Sequence, residues 1–93
     1  MKRTFTRDYL ENLGLPFDND DIIEHRELES QGRWTQTYSL VFWDEVTAFY
    51  WMIHYYVGAT ENQEIDPFND QLLIEGTQVH EEEVVTTRWV PYD

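Results

Sequence analysis

The spacing of apolar residues is helical at the N-terminus of the chain. In the segment FTRDYLENLGLP, Thr6 can cap a helix, and Phe5 and Leu10 have the spacing of a hydrophobic staple across its first turn. Gly14, followed by Pro16, supplies a C-terminal stop. The pattern therefore predicts one short N-terminal helix, which an acidic loop, FDNDD, follows.

From Asp21 the apolar positions alternate with a period of two. Three segments are rich in β-branched and aromatic residues, namely DIIEHRELE, RWTQTYSLVFW and VTAFYWMIHYYV. They are separated by the short runs SQG and DE, so they predict a three-strand antiparallel meander. The SQG connection permits two registers of the first hairpin, one with Ile22 and Leu28 inward and one with Ile23 and His25 inward.

The second hairpin turns at Asp44 and Glu45. A two-residue turn there aligns Leu40 with Phe49 and leaves a mixed face for solvent or a ligand. Because Asp-Glu is not a favoured two-residue turn, a longer loop would shift this register. The large residues predicted on the core face are Trp34, Tyr38, Leu40, Phe49 and Trp51.

The C-terminal part begins with a long connection. Gly58 ends the third strand, and a loop of about a dozen residues, ATENQEIDPFND, has the length of a functional or mobile segment. The following run LLIEGTQVHEEEVVTTRWV predicts a final strand, or two strands interrupted near Gly76. The elements together predict an α+β fold in which residues 1–93 form a single domain, with an antiparallel sheet of about four strands and one short helix.

The net charge of the chain is unusually negative for a small domain and limits the partners that it can bind. The formal net charge is −13 at pH 7, and residues 11–93 carry three basic against eighteen acidic side chains. Such a chain is repelled by nucleic acid and anionic membranes and is attracted to basic surfaces. Its fifteen aromatic residues distinguish it from a disordered acidic tail. Without cysteine, signal-peptide pattern or membrane-spanning run, we expect a cytoplasmic protein.

Sequence patterns of catalysis and cofactor binding are absent from the chain. It has no Gly-rich phosphate loop, no G-x-S-x-G and no His-Glu-x-x-His. A calcium-loop spacing that begins at Asp18 is broken by Ile22 and Ile23. Aromatic residues could stack on bases, but the basic groove that follows a phosphate backbone is missing. We therefore expect no catalytic residue, no cofactor, no metal and no direct binding of nucleic acid. The histidines are scattered over three predicted strands, as His25, His54 and His80.

The acidic residues are grouped in predicted loops and turns. Between Arg33 and Arg88 there are ten Asp or Glu residues and no Lys or Arg. If these loops converge on one edge, their carboxylates resemble nucleic-acid phosphates to a protein that binds them with Lys and Arg. Exposed aromatic residues such as Phe68 or Trp43 would anchor the complex. The predicted partner-binding residues are Asp44, Glu45, Glu61, Glu64, Asp66, Phe68, Asp70, Glu81, Glu82 and Glu83.

A resemblance supports this hypothesis. The run YYVGATENQEIDPF, followed by a strand that ends in RWVPYD, resembles small proteins of bacteriophage genomes. The size, acidity and lack of a catalytic motif are similar to those of phage inhibitors of host defence, including anti-CRISPR proteins. Anti-CRISPR proteins share no common motif, so the resemblance transfers no functional residue.

The resemblance implies binding to a host nuclease complex, often at the site that reads DNA. We therefore expect a non-catalytic nuclease inhibitor that occupies a basic nucleic-acid-binding surface of a partner such as a CRISPR effector nuclease. The alternative is a small structural or assembly accessory protein of a phage or mobile element, in which the acidity serves solubility. An acidic enzyme subunit is the third possibility.

Overall fold

The fold is built around one sheet. A computed structural model describes residues 1–59, 65–85 and 87–92. The strands are β1 (Lys2–Thr6), β2 (Ile23–Gln31), β3 (Thr35–Asp44), β4 (Phe49–Gly58) and β5 (Leu73–Val79), with helix α1 (Arg7–Asn12) after β1 and a 3₁₀ turn (Asp20–Ile22) before β2. The sheet is open and antiparallel, in the order β1-β5-β4-β3-β2. The α+β class is confirmed, and the strand count is five rather than four.

The additional strand is β1. It pairs antiparallel with β5, with Phe5 opposite Ile74. Phe5 is the only buried residue of this five-residue strand. A strand with a single buried position has no alternation of apolar and polar residues, so the sequence pattern did not reveal it.

Helix α1 begins and ends at the predicted signals. The Thr6 Oγ1 atom accepts a hydrogen bond from the backbone nitrogen of Tyr9 at 3.2 Å. At the other end Gly14 adopts φ 85°, and the backbone nitrogen of Leu15 donates to the Leu10 carbonyl at 3.0 Å, as in a Schellman motif. Local capping therefore sets both ends of this six-residue helix, whose inner face buries Leu10.

The hairpin of β3 and β4 has a longer turn than the two-residue one predicted. Leu40 lies opposite Ile53, four residues beyond the predicted partner Phe49, and Asp44 pairs with Phe49. Because this displacement is even, each side chain keeps its predicted face of the sheet. Trp34 and Phe49 are nevertheless 59% and 46% exposed, so the prediction that they belong to the core is wrong.

Strand β2 forms one edge of the sheet and pairs irregularly with β3. Regular pairing is broken between Ile23 and His25, and again between Leu28 and Ser30. Both Ile22 and Ile23 pack against the core, whereas His25 and Leu28 are exposed. Each predicted register therefore describes only part of the strand, because a break shifts the residues that share a face.

The core lies on one face of the sheet, under α1 and the segment that precedes β5. Its members alternate along the strands, and residues from the helix, its C-terminal turn and the later loop complete it. We call the opposite surface the open face. The core residues are Phe5, Leu10, Leu15, Leu40, Phe42, Trp51, Ile53, Tyr55, Phe68 and Ile74.

Strand β5 passes through Gly76 without interruption. A Cβ atom on Gly76 would lie 2.6 Å from Cε2 of Phe5, so the glycine lets the aromatic ring rest against the backbone of β5. Gly76 therefore marks a close approach between strands rather than a strand end.

The C-terminal segment does not continue the sheet. Residues 80–85 and 87–92 have no regular secondary structure, and Trp89 is fully exposed. The strand predicted there is therefore wrong for the described residues. Among those residues, no helix has the length and apolar character needed to cross a bilayer.

Candidate partner-binding surface

The predicted acidic residues are divided between opposite ends of the sheet. Asp44 and Glu45 lie at the end of β3, and residues 81–83 follow the end of β5. These two strands run in the same direction because both are antiparallel to β4. Asp66 and Asp70 precede β5 and lie near the other end. A ten-residue strand such as β4 separates the two ends by about 30 Å.

Asp66 is engaged inside the molecule. Nη1 and Nη2 of Arg7 each donate a hydrogen bond of 2.5 Å to its carboxylate, and the backbone nitrogen of Asp70 donates another at 2.6 Å. Partial burial by itself raises the pKa of Asp66, but the hydrogen bonds from Arg7 and the backbone lower it below its usual value. Asp66 therefore fastens the loop to α1. Asp70 is exposed, and Glu61 and Glu64 lie outside the described residues.

Phe68 is not the exposed anchor that was predicted. Its side chain is 2% exposed and belongs to the core. The backbone nitrogen of Tyr56 donates to the Pro67 carbonyl at 2.8 Å, and that of Asn69 donates to the Asp66 carbonyl at 2.9 Å. These bonds hold the turn against β4, so Phe68 closes the core instead of contacting a partner.

Asp44 is also a structural residue. It is 1% exposed, and its carboxylate accepts hydrogen bonds from the Tyr9 hydroxyl and from Oγ1 of Thr47, the latter at 2.7 Å. The same Thr47 Oγ1 accepts a bond of 2.8 Å from Nε1 of Trp51. Asp44 is thus unavailable to a partner, and it joins the hairpin turn to α1.

The network changes the acid–base properties of both partners. Burial and the hydrogen bond to Asp44 raise the pKa of Tyr9 to about 12. Burial by itself raises the pKa of Asp44, but bonds from Tyr9 and Thr47 lower it below the usual value. Asp44 therefore remains ionised as the acceptor of the network.

One end of the sheet concentrates carboxylates that have no ion pair in the described part of the chain. The 3₁₀ turn leads into β2, which starts beside the end of β3, with Ile23 opposite Phe42. Other acidic residues do form ion pairs; for example, Nζ of Lys2 lies 3.1 Å from Oε1 of Glu75. We call this region the acidic end, and its members without an ion pair are Asp21, Glu24, Glu45, Glu81, Glu82 and Glu83.

A groove of about 530 Å³ opens on the open face at the acidic end. Val41, Tyr50 and Val79 form its floor, one from each of three adjacent strands, and Tyr50 lies directly opposite Val79. Glu24 lines one side from β2, and Glu81 lines the other beyond β5. The groove therefore combines an apolar floor with a carboxylate on each side.

An exposed apolar patch adjoins the groove at the hairpin turn. The rings of Trp43 and Tyr50 are in edge contact, with centroids 4.9 Å apart. Trp43 is 36% exposed, and Val46 in the turn is also exposed. Exposed aromatic surface beside unpaired charge is typical of an interaction site. Trp43 was predicted as a possible anchor and does have exposed surface.

Two histidines that were judged scattered lie in the same groove. His25 reaches it from β2 and His80 from the segment after β5. Within the described residues, no group of three or more His, Asp or Glu side chains is placed to hold a metal ion. Alternation placed Val41 and Tyr50 on the open face, but no local pattern indicated that Glu24 and Glu81 would line one groove.

Comparisons with known proteins identify no relative of this chain. No protein-family profile, curated protein or solved structure matches this chain. The structure by itself defines an α+β protein with a five-stranded antiparallel sheet, one end of which is acidic and aromatic.

Proposed function

We propose that the chain is a non-catalytic acidic protein that binds a basic, nucleic-acid-binding surface of a protein partner. The observation that carries the proposal is the acidic end, where six carboxylates have no ion pair in the described part of the chain and two of them, Glu24 and Glu81, line an apolar groove. Lysine and arginine side chains that hold phosphates also form charge-assisted hydrogen bonds with carboxylates. The chain therefore competes with nucleic acid for such a surface.

The apolar part of the surface lengthens the lifetime of the complex with the partner. Complementary charge mainly accelerates association and selects the partner, whereas buried aromatic anchors slow dissociation. Trp43 is exposed on the open face beside the groove, where its ring contacts Tyr50, and it serves as such an anchor. Charge and apolar contact thus act on one face of the partner.

A CRISPR effector nuclease has the chemistry that the acidic end requires. Such nucleases hold their guide–target duplex in a positively charged channel and also bind the displaced strand. The resemblance to phage inhibitors of host defence supports this choice and assigns the action to the cytoplasm of the host cell. Binding occupies the channel, so inhibition is stoichiometric and consumes nothing.

A displacement assay tests the proposal. Purified guide-loaded effector nucleases of several types are each bound to fluorescent target DNA, and the anisotropy of the DNA is followed as the protein is added. We expect displacement from at least one nuclease at equimolar protein, weakening steeply between about 50 and about 200 mM salt. Retention of DNA by every nuclease would contradict this choice of partner.

Charge-reversal variants test the surface. The double change Glu45→Lys and Glu82→Lys should weaken displacement at least about tenfold, because it replaces attraction with repulsion at the acidic end. The control, Asp8→Lys with Glu29→Lys, makes the same change in net charge at exposed positions near the opposite end. Equal weakening by both doubles would show that net charge, and not this surface, drives binding.

A further inference from the structure

Arginine side chains lie over aromatic rings in several parts of this structure. Such cation–π contacts combine ring electrostatics with a weakly hydrated cation. The guanidinium carbon lies 4.9 to 5.9 Å from the ring centroid in each contact, and the pairs are Arg3 with Phe5, Arg26 with Phe17 and with Tyr55, and Arg33 with Trp34.

One aromatic pair among the described residues lacks this partner. The ring contacts of the core face all include either Phe5 or Tyr55, and both of these rings have an arginine over them. The pair of Trp43 and Tyr50 lies on the open face, and no arginine of the described chain covers either ring. Tyr50 is also the ring in the floor of the acidic groove.

The groove supplies the other contacts that an arginine side chain makes. Glu24 and Glu81 offer carboxylates on its two sides, and neither has an ion pair within the described residues. A guanidinium group pairs with a carboxylate through two parallel hydrogen bonds while its face stacks on a ring. Val41 and Val79 flank Tyr50 and provide apolar surface for the methylene stem.

We infer that the groove receives the side chain of an arginine from the protein partner. The inference rests on the proposed function and narrows it, because it names the residue that the acidic end selects. Lysine fits less well, since its ammonium group is more strongly hydrated and cannot form the planar two-bond contact. The groove therefore distinguishes arginine-rich surfaces from lysine-rich surfaces of equal charge.

Peptide titrations followed by NMR test the inference without the nuclease. ¹⁵N-labelled protein is titrated with hexa-arginine and with hexa-lysine at low salt. We expect hexa-arginine to bind about three- to tenfold more tightly, and its largest shifts to fall on the amides of Val41, Tyr50 and Val79. Equal affinities, or shifts centred near Asp8 and Glu29, would overturn the inference.

Two variants separate stacking from charge. Tyr50→Leu should reduce the preference for arginine to less than about twofold, since it removes the ring. Glu81 lies outside the regular secondary structure, so its replacement should leave the sheet intact. Glu81→Gln should weaken hexa-arginine binding by about threefold or more, whereas the control Glu29→Gln should not. If Tyr50→Leu does not fold, the comparison of Glu81→Gln with Glu29→Gln decides alone, and equal effects overturn the inference.

The outcome of the peptide titrations can be distinguished from the outcome of the DNA-displacement assay. If the two peptides bind equally but the Glu45 and Glu82 double variant still loses DNA displacement, the arginine site is wrong and the proposed function stands. If the double variant displaces DNA as well as the parent, the proposed surface is wrong, whatever the peptides do.

Discussion

The hydrogen bond from Tyr9 to Asp44 should make a measurable contribution to the free energy of unfolding. The bond joins α1 to the hairpin turn across 35 residues, and the Asp44 carboxylate is buried. Tyr9→Phe removes the hydroxyl and leaves the two donors of Thr47 in place. A hydrogen bond to a charged group contributes about 1.5 to 3 kcal/mol, so we expect the variant to be about 2 kcal/mol less stable at pH 7.

The same bond predicts how this difference depends on pH. The pKa of Tyr9 rises from the ordinary tyrosine value of 10.0 to about 12 in the folded protein. Because the folded-state value is the higher one, the stabilisation is complete below pH 10 and is lost as the pH rises through 12. A difference of about two pKa units corresponds to about 3 kcal/mol, which is similar to the cost of the substitution.

Urea denaturation followed by tryptophan fluorescence measures both quantities. The free energy of unfolding is determined for the parent and for Tyr9→Phe at intervals from pH 7 to pH 12. The five other tyrosines titrate in both proteins, so the difference isolates Tyr9. We expect this difference to be constant up to about pH 9 and to shrink towards zero by about pH 12.

The control is Tyr92→Phe, at a fully exposed position. This change should alter the free energy of unfolding by less than about 0.5 kcal/mol at every pH. A difference between parent and Tyr9→Phe that stays constant from pH 7 to pH 12 would refute the reasoning, because the hydroxyl would then titrate as in the unfolded chain.

Two further changes test the core and the loop. Leu40→Ala should cost about 2 to 5 kcal/mol in urea denaturation because Leu40 is fully buried, whereas Leu73→Ala on the exposed start of β5 should cost less than about 0.5 kcal/mol. Equal costs would contradict the assigned core face. Asp66→Asn should lower the thermal midpoint at pH 7, and the difference from the parent should disappear in acid, because the lowered pKa stabilises the fold only above the usual carboxyl pKa. A midpoint difference that persists at pH 2 would exclude the pairing with Arg7 as its cause.

Local signals in the sequence were sufficient for the helix and for the faces of the central strands. Thr6 and Gly14 act on backbone groups within a few residues, so the helix ends could be predicted from their order alone. Alternation assigned Leu40 and Trp51 to the core face, and that assignment survived an error in the turn length because the displacement was even. The acidity of the surface followed from composition.

Contacts between distant parts of the chain decided the rest. Strand β1 pairs with β5, where the ring of Phe5 rests against Gly76, and the hairpin turn at Asp44 is joined to Tyr9 of α1. Asp66 is neutralised by Arg7 across 59 residues, although no basic residue lies near it in the sequence. Periodicity and composition describe neighbours along the chain, whereas strand pairing chooses neighbours in space. For this reason the sequence could show that carboxylates were in excess, but only the tertiary structure decided which were already paired and which line the groove.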